Sequence, residues 1–449
     1  MISKPKGTSD LYGDKGQEYL FIYGFITELM DKYNYEFFRT PNFEASELFH
    51  RGVGETTDIV TKETYDFIDR GNRAMTLRPE GTAGLVRSFI ENKLYAQAVL
   101  PKKYWYYGPM YRYERPQAGR YREHYQFGCE VLGSTDPILD AEIISIPVTL
   151  FKLLGLKGIK VNINSLGDKA SRENYRTALM EYLAPNIDKL CPDCKERFEK
   201  NPLRILDCKF DAKNEVLENV PRTIDYLNEE SKEHFDKVAK YLDALEIDYI
   251  INPKTVRGLD YYTHTVFEVE ADVVGFGSQN VMCAGGRYDN LVETLEGPST
   301  PAVGFGMGQE RLMMALEYEK IKLVKDNDVD CYIQPVSDNE KPFSTALCAS
   351  LRMLGFKTDM DYMSRNIKNN FKQAERLGAK FVITIGETEI KENKLTVKNM
   401  LTKTEETINN MDIIDYLANN LDEMHNHNDC NCDGENCNDN EHGDCDCNK

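Results

Sequence analysis

Two aromatic-rich runs, KKYWYYGPMYRYER over residues 102–115 and YREHYQFGCEVLG over residues 121–133, are separated by Pro116, Gln117, Ala118 and Gly119. Such runs joined by a turn signature read as two long strands that pair antiparallel in a hairpin. The tip is basic, with Arg112, Arg115, Arg120 and Arg122 all falling within residues 111–122. Arginines on a solvated ribbon are ordinary. Arg112, however, is placed inside an aromatic strand, where a guanidinium is hard to bury without an anionic partner. A bound phosphate and the neighbouring Glu114 are the two candidates.

This local positive charge stands against a formal net charge of -19 for the whole chain. So acidic a body discourages indiscriminate nucleic-acid binding, and any polyanion must be met by a local basic surface. The 449 residues, 41% apolar and 29% charged, suffice for two or three domains. No apolar run approaches the roughly 20 residues that span a bilayer, and Met1-Ile-Ser-Lys-Pro-Lys lacks the apolar stretch of a signal peptide. The expectation is a cytoplasmic protein with no membrane association. Seven of the 12 cysteines are scattered through the first 424 residues, as befits reduced thiols rather than a disulfide framework.

Along the chain, apolar residues at Leu20, Tyr23, Ile26, Met30 and Tyr33 mark an amphipathic helix over Gly16–Tyr33, followed by short strand-like runs. A helix over 137–155 and the strand IKVNINSL come after the hairpin. Residues 168–245 are charged and helical in pattern, an inserted helical subdomain. VMCAGGRYDNLVETL and PAVGFGMGQERLMMAL each read as a strand delivering a glycine-bearing turn into a helix. A mostly antiparallel sheet with such helices is an α+β domain, placed at 1–325. Residues 329–421 alternate as β-α-β-α-β and are expected to form a separate α/β domain with a small parallel or mixed sheet. Residues 422–449 are a Cys/His/Asp/Asn-rich tail.

Two further stretches carry chemistry. LRPEGTAG at 77–84 turns into a helix whose N-terminus Glu80 and Thr82 are able to cap. VRGLDYYTHTVFE at 256–268 puts a cation, an acid and two phenols into six residues ahead of a strand. With the hairpin, they resemble class II aminoacyl-tRNA synthetases, and closely the histidine-specific family. FFRTPNFEASELF, YRYERPQAGRYREHYQFGCE and PAVGFGMGQERL are similar to the three signatures of the class, and RPEGT and RGLDYY to segments particular to the histidine enzymes. The resemblance covers about residues 1–421.

The resemblance implies a class II catalytic domain followed by an anticodon-binding domain. It implies a ligase that converts L-histidine and ATP to histidyl-adenylate and pyrophosphate, then transfers histidine to the 3′ end of tRNA-His. The rivals are a non-catalytic regulatory paralogue that binds histidine to control ATP phosphoribosyltransferase, and a metal buffer defined by the tail. By resemblance, Arg112 and Arg257 are catalytic, stabilising the α-phosphate and the substrate carboxylate. ATP lies against Arg112, Glu114, Arg120 and Arg311, with Mg2+. Glu80, Gly81, Thr82 and Gln126 receive the α-amino end of histidine, and Glu130, Tyr261 and Tyr262 its ring. The alternative for Glu130 is a structural ion pair. His124 stands where relatives commonly carry phenylalanine; core, ligand-facing and tautomer-sensitive roles are open to a histidine in that strand, and packing is the expectation.

For tRNA, the resemblance implicates Arg115 and Gln117 at the hairpin tip. In the C-terminal domain, a helix over Ser364–Leu377 puts Arg365, Lys368, Lys372 and Arg376 on one face, with Ile367, Phe371 and Ala374 on another. Pro41 lies where the class forms its homodimer interface. In LCPDCKERFEKNPLRILDCK, Cys191 and Cys194 have half a zinc-site spacing and Cys208 follows, but no fourth ligand is obvious; ordinary thiols are expected. The tail offers His425, His427, Cys430, Cys432, Cys437, His442, Cys445 and Cys447, donors suited to zinc, nickel or copper(I), and should be disordered without a ligand.

Overall fold

The computed structural model describes residues 2–54, 57, 59–208, 210–273, 280–324 and 328–429, with side chains as far as Leu421. Contacts divide the chain into two units, Met1–Leu323 and Val324–Lys449.

In the first unit the described strands are β1 (Glu36–Phe37), β2 (Phe43–Ala45), β3 (Tyr65–Ile68), β4 (Ala74–Leu77), β5 (Lys102–Tyr111), β6 (Glu123–Leu132), β7 (Ile159–Ser165), β8 (Tyr249–Ile251), β9 (Thr263–Ala271), β10 (Val281–Arg287) and β11 (Ala302–Gly308). Eight form one sheet in the order β1-β5-β6-β11-β10-β9-β7-β8. The outermost pairs, β1 with β5 and β7 with β8, are parallel and the rest antiparallel. β2, β4 and β3 make a small antiparallel sheet of their own.

Strand periodicity sorts the central strands into two faces. Phe127, Cys129 and Val131 of β6, Val303, Phe305 and Met307 of β11, and Phe267 and Val269 of β9 are all buried in the main core. They pack with the helices Gly13–Lys32 and Ile138–Leu153, which supply Ile22, Ile26, Ile143, Ile146 and Phe151. Each such side chain, once fully buried, contributes on the order of 1.5–3 kcal/mol. The intervening positions, among them Gln126, Gly128, Glu130, Gly304 and Gly306, point the other way.

The hairpin pairs antiparallel as expected, Lys102 opposite Leu132 through Tyr111 opposite Glu123. Its strands are shorter than the aromatic runs. Arg112 follows β5 instead of lying within it, and the connection runs over residues 112–122, closed by an isolated bridge between Gln117 and Arg120. The backbone there pairs outside the ladder, Tyr113 N–H with the Glu63 carbonyl and Arg122 N–H with that of Gly7.

Between β7 and β8 lie the helices Lys169–Leu183, Pro192–Lys200, Glu215–Glu218 and Glu229–Ala244. Tyr175, Leu179, Cys194, Ile205 and Leu217 build a satellite core that takes in Val256, Tyr262 and Val266. The last helix instead sends Phe235, Val238 and Leu242 into the main core.

In the second unit β12 (Cys331–Pro335) pairs in parallel with β13 (Thr358–Met360) and β14 (Phe381–Ile385), whereas β15 (Lys394–Asn399) and β16 (Glu405–Asn409) extend the sheet antiparallel. Helices Lys341–Met353 and Ile413–Asp429 contribute Leu347, Leu351, Ile413 and Leu417 to its core.

Candidate active site

The polar face of β6 and β11 floors a cavity of about 1060 Å³. Glycines make room for its side chains. Gly304 lies directly opposite Glu130 in the ladder, and a Cβ there would overlap the Glu130 carboxylate. A Cβ on Gly306 would likewise overlap the Gln126 amide.

At one end Glu130, 1% exposed, accepts hydrogen bonds from the Thr82 hydroxyl at 2.6 Å and the Tyr288 hydroxyl at 2.5 Å. Its partners are hydroxyls and not a cation, so a structural ion pair does not account for its burial. Burial pushes its pKa up to about 8, against the lowering effect of those two hydrogen bonds. Glu80 accepts the backbone N–H groups of Thr82 at 2.7 Å and Ala83 at 2.8 Å. It thereby caps the helix Thr82–Glu91 while lining the cavity. Burial raises its carboxyl above the usual range as well. Gln126 accepts from the Tyr106 hydroxyl at 3.2 Å. Tyr261 and Tyr262 stack obliquely at 4.7 Å between centroids and border the same space. Gly81 is set back from the cavity: it packs against the Tyr106 ring, which a Cβ would strike.

The other end is cationic. Arg112 Nε donates to the Pro79 carbonyl at 2.8 Å, which leaves its charge unpaired by that contact. Arg311 donates to the carbonyls of Gly119 at 3.1 Å and Val281 at 2.7 Å; burial, then Arg120, lowers its pKa. Arg120 sits 3.4 Å from Glu114, and Arg257 2.5 Å from Glu268, with the Arg257 Nε buried and without a hydrogen-bond partner among the described residues. By contrast Arg287, fully buried, is consumed by Asp140 as part of the scaffold.

His124 departs from the expectation of core packing, because it lines the cavity between guanidiniums. Burial, then Arg112 and Arg311, brings its pKa down to about 3, so its ring is neutral. Reading the sequence alone missed Tyr288, Tyr106, Glu268 and Glu310. All four lie inside stretches quoted for other residues, and strand alternation would have aimed Glu268 at the site. Glu310 accepts the Tyr125 N–H at 2.8 Å, and its pKa is raised by burial to about 7.

Arg115 and Gln117 are exposed at the cavity rim. In the second unit Lys368, Lys372 and Arg376 are exposed on the helix Ile367–Arg376. Arg365 precedes that helix and is tied to Asp361 at 2.7 Å, since Asn366 provides the N-cap. Ile367, expected on the apolar face, is 46% exposed; Asn370 and Ala374 are the buried positions. The tail donors His425, His427, Cys430, Cys432, Cys437, His442, Cys445 and Cys447 lie outside the residues whose side chains are described.

The family model for Histidyl-tRNA synthetase matches residues 10–312, more than half of the chain, and that for the Anticodon binding domain matches 330–420. The chain belongs to the histidyl-tRNA synthetase family. A Histidine–tRNA ligase of Bacillus licheniformis is 47% identical over 418 residues, 93% of this chain and 99% of the relative. The crystal structure of apo S. aureus histidyl-tRNA synthetase superposes with a TM-score of 0.80 at 42% identity, covering 93% of this chain and 100% of that one. An ATP phosphoribosyltransferase regulatory subunit/histidyl-tRNA synthetase from Bacillus halodurans, 20% identical with a TM-score of 0.62 over 86% of this chain and 98% of that one, shares the fold. This synthetase therefore has the class II architecture and is an aminoacyl-tRNA ligase. The regulatory-paralogue alternative is set aside by its near full-length identity to ligases.

Proposed function

We propose that the cavity activates L-histidine with ATP and that the hairpin tip serves the transfer of histidine to tRNA-His. A histidine carboxylate oxygen attacks the α-phosphorus, and the bond to pyrophosphate breaks. The terminal ribose hydroxyl of the tRNA then attacks the carbonyl and releases AMP. In this scheme Arg112 and Arg257 stabilise charge on the α-phosphate, and Arg120 and Arg311 hold the rest of ATP beside Glu114. Glu80, Thr82 and Gln126 take the ammonium, while Glu130, Tyr261 and Tyr262 read the imidazole, with Tyr288 aligning Glu130. The supporting observation is that guanidiniums from three chain segments, at 112–120, 257 and 311, border one cavity whose far end is the Glu130 hydroxyl network. Preorganised cations of this kind are worth roughly 10²–10³ in rate each. Arg257→Ala should lower histidine-dependent ATP–pyrophosphate exchange by that order, and exchange at the parental rate would remove Arg257 from the mechanism.

ATP brings Mg2+, which takes oxygen donors and phosphates. Glu310 Oε2, buried at the cavity without a hydrogen-bond partner among the described residues, fits such an ion. Bound there, the ion would neutralise developing phosphate charge. For tRNA, Arg115 and Gln117 are assigned to the acceptor end, and Lys368, Lys372 and Arg376, with Arg365 in a lesser role, to the anticodon end. A cytoplasmic homodimer formed through the region of Pro41 completes the scheme. Among the described residues no helix is long and apolar enough to cross a membrane. The tail's histidines and cysteines are assigned to accessory binding of zinc, nickel or copper, which truncation after Asn420 should abolish without changing aminoacylation.

A further inference from the structure

Within the helical insertion, four side chains turn toward one point. Cys191 is the N-cap of the helix Pro192–Lys200, and Cys194 lies in that helix's first turn. Cys208 and Asp211 follow the short helix Pro202–Ile205. One ligand atom from each, three Sγ and a carboxylate oxygen, all lie within 4.8 Å of one another. The Cys191 and Cys208 sulfurs are 3.6 Å apart, and Cys208 Sγ is 3.7 Å from Asp211 Oδ2. That same oxygen accepts the Cys191 N–H at 2.9 Å, which fixes the carboxylate. Cys194, Cys208 and Asp211 are buried, at 0%, 3% and 7% exposure.

These distances discriminate between chemistries. A disulfide needs its sulfurs about 2.05 Å apart, and it would leave the third thiol unexplained. Two thiolates held tetrahedrally at about 2.3 Å from one ion stand about 3.8 Å apart. Sequence spacing had offered three thiols and no fourth ligand; the turn after Cys208 supplies it. We propose that Cys191, Cys194, Cys208 and Asp211 bind one zinc ion in a closed, structural, tetrahedral site. Three sulfurs and one oxygen suit zinc over magnesium or calcium, which take oxygen ligands, and four protein ligands leave no position open for catalysis. Burial raises the Cys194 thiol well above its ordinary value, and Asp211 raises it further. Zinc binding releases the proton of each thiol it ligates.

The ion has something to hold. Asp193, Arg204, Asp207 and Cys208 border the substrate cavity. Arg204 Nη1 lies 3.5 Å from the Arg257 carbonyl, and Asn201 donates to Asp260 at 2.9 Å. Zinc would cross-link the two ends of this wall, Cys191 and Cys194 to Cys208 and Asp211, and so fix the surroundings of Arg257.

The test uses the full chain with the tail donors removed (Cys430, Cys432, Cys437, Cys445 and Cys447 to Ser; His425, His427 and His442 to Asn), purified under reductant. Elemental analysis should find one zinc per chain, and cobalt(II) exchange should give the visible bands of a tetrahedral thiolate site. Adding Cys194→Ser should reduce zinc below about a tenth of an equivalent. Should that variant not fold, Asp211→Asn keeps the side-chain volume, and competition with a chromophoric chelator should show at least about tenfold weaker zinc binding. Metal-free protein with three reduced thiols, a Cys191–Cys208 disulfide by mass spectrometry, or a stoichiometric metal other than zinc overturns the proposal. Unchanged affinity in Asp211→Asn removes Asp211 from the ligand set and overturns it as stated.

Discussion

The Tyr288 hydroxyl donates to Glu130 at 2.5 Å, although 158 positions separate the two residues in the chain. Glu130 sits on β6 and Tyr288 just beyond β10, and β11 between them presents Gly304 so that the carboxylate has room. The setting of the Glu130 carboxylate thus rests on a contact that no local pattern contains.

Tyr288→Phe keeps the ring and its packing against Tyr261, at 5.5 Å between centroids, but deletes the donor. With the Glu130 carboxyl protonated below about pH 8, the bond joins neutral groups and is worth roughly 0.5–1.5 kcal/mol. The KM for histidine in pyrophosphate exchange should rise roughly two- to tenfold, with the KM for ATP little changed. An unchanged histidine KM would mean that Tyr288 does no more than fill space.

Glu130 also gives the fold a pH dependence. Its carboxyl holds a proton to about pH 8 when folded, against an ordinary value of 4.5. Between those values the folded state binds the extra proton, so its stabilising contribution is complete below about pH 4.5 and is lost as pH rises through about 8. Glu130→Gln removes that loss. Melting temperatures of parent and variant should diverge in the variant's favour from pH 5 to pH 9, and parallel curves would contradict the assigned protonation.

Gly304→Ala places a methyl group where the Glu130 carboxylate lies. Overpacking of this kind costs about 1–3 kcal/mol. Histidine activation should fall by at least tenfold while circular dichroism still reports a folded chain. Wild-type exchange kinetics would show that the carboxylate has another place to go.

Replacing Lys368, Lys372 and Arg376 together by alanine removes three exposed charges from one helix of the second unit. Aminoacylation should lose about tenfold or more in kcat/KM for tRNA, with a shallower salt dependence and pyrophosphate exchange intact. A loss confined to exchange would place the charges in the wrong role.

Much of this was legible beforehand, for identifiable reasons. Strand alternation and turn residues announced the hairpin, and glycine-bearing turns announced β10 and β11, because backbone geometry responds to near neighbours. β15 and β16 escaped notice. They read as polar, and one face of β15 buries Leu395, Val397 and Asn399. His124 was expected to pack on the strength of its residue type, although it shares its parity on β6 with Gln126 and Glu130, so strand alternation already pointed it at the cavity. Arg112 was placed in a strand because composition does not show where a ladder frays.

Residue order alone determined the class signatures, the helix caps, and the sorting of apolar and polar side chains onto opposite faces of each strand. Those follow from periodicity and from contacts a few residues apart. Only the tertiary structure decided that Tyr288 meets Glu130, that Arg311 reaches Gly119, and that Asp211 joins three cysteines. Such meetings depend on strand register and on the return path of long connections, which are set by the packing of the whole core.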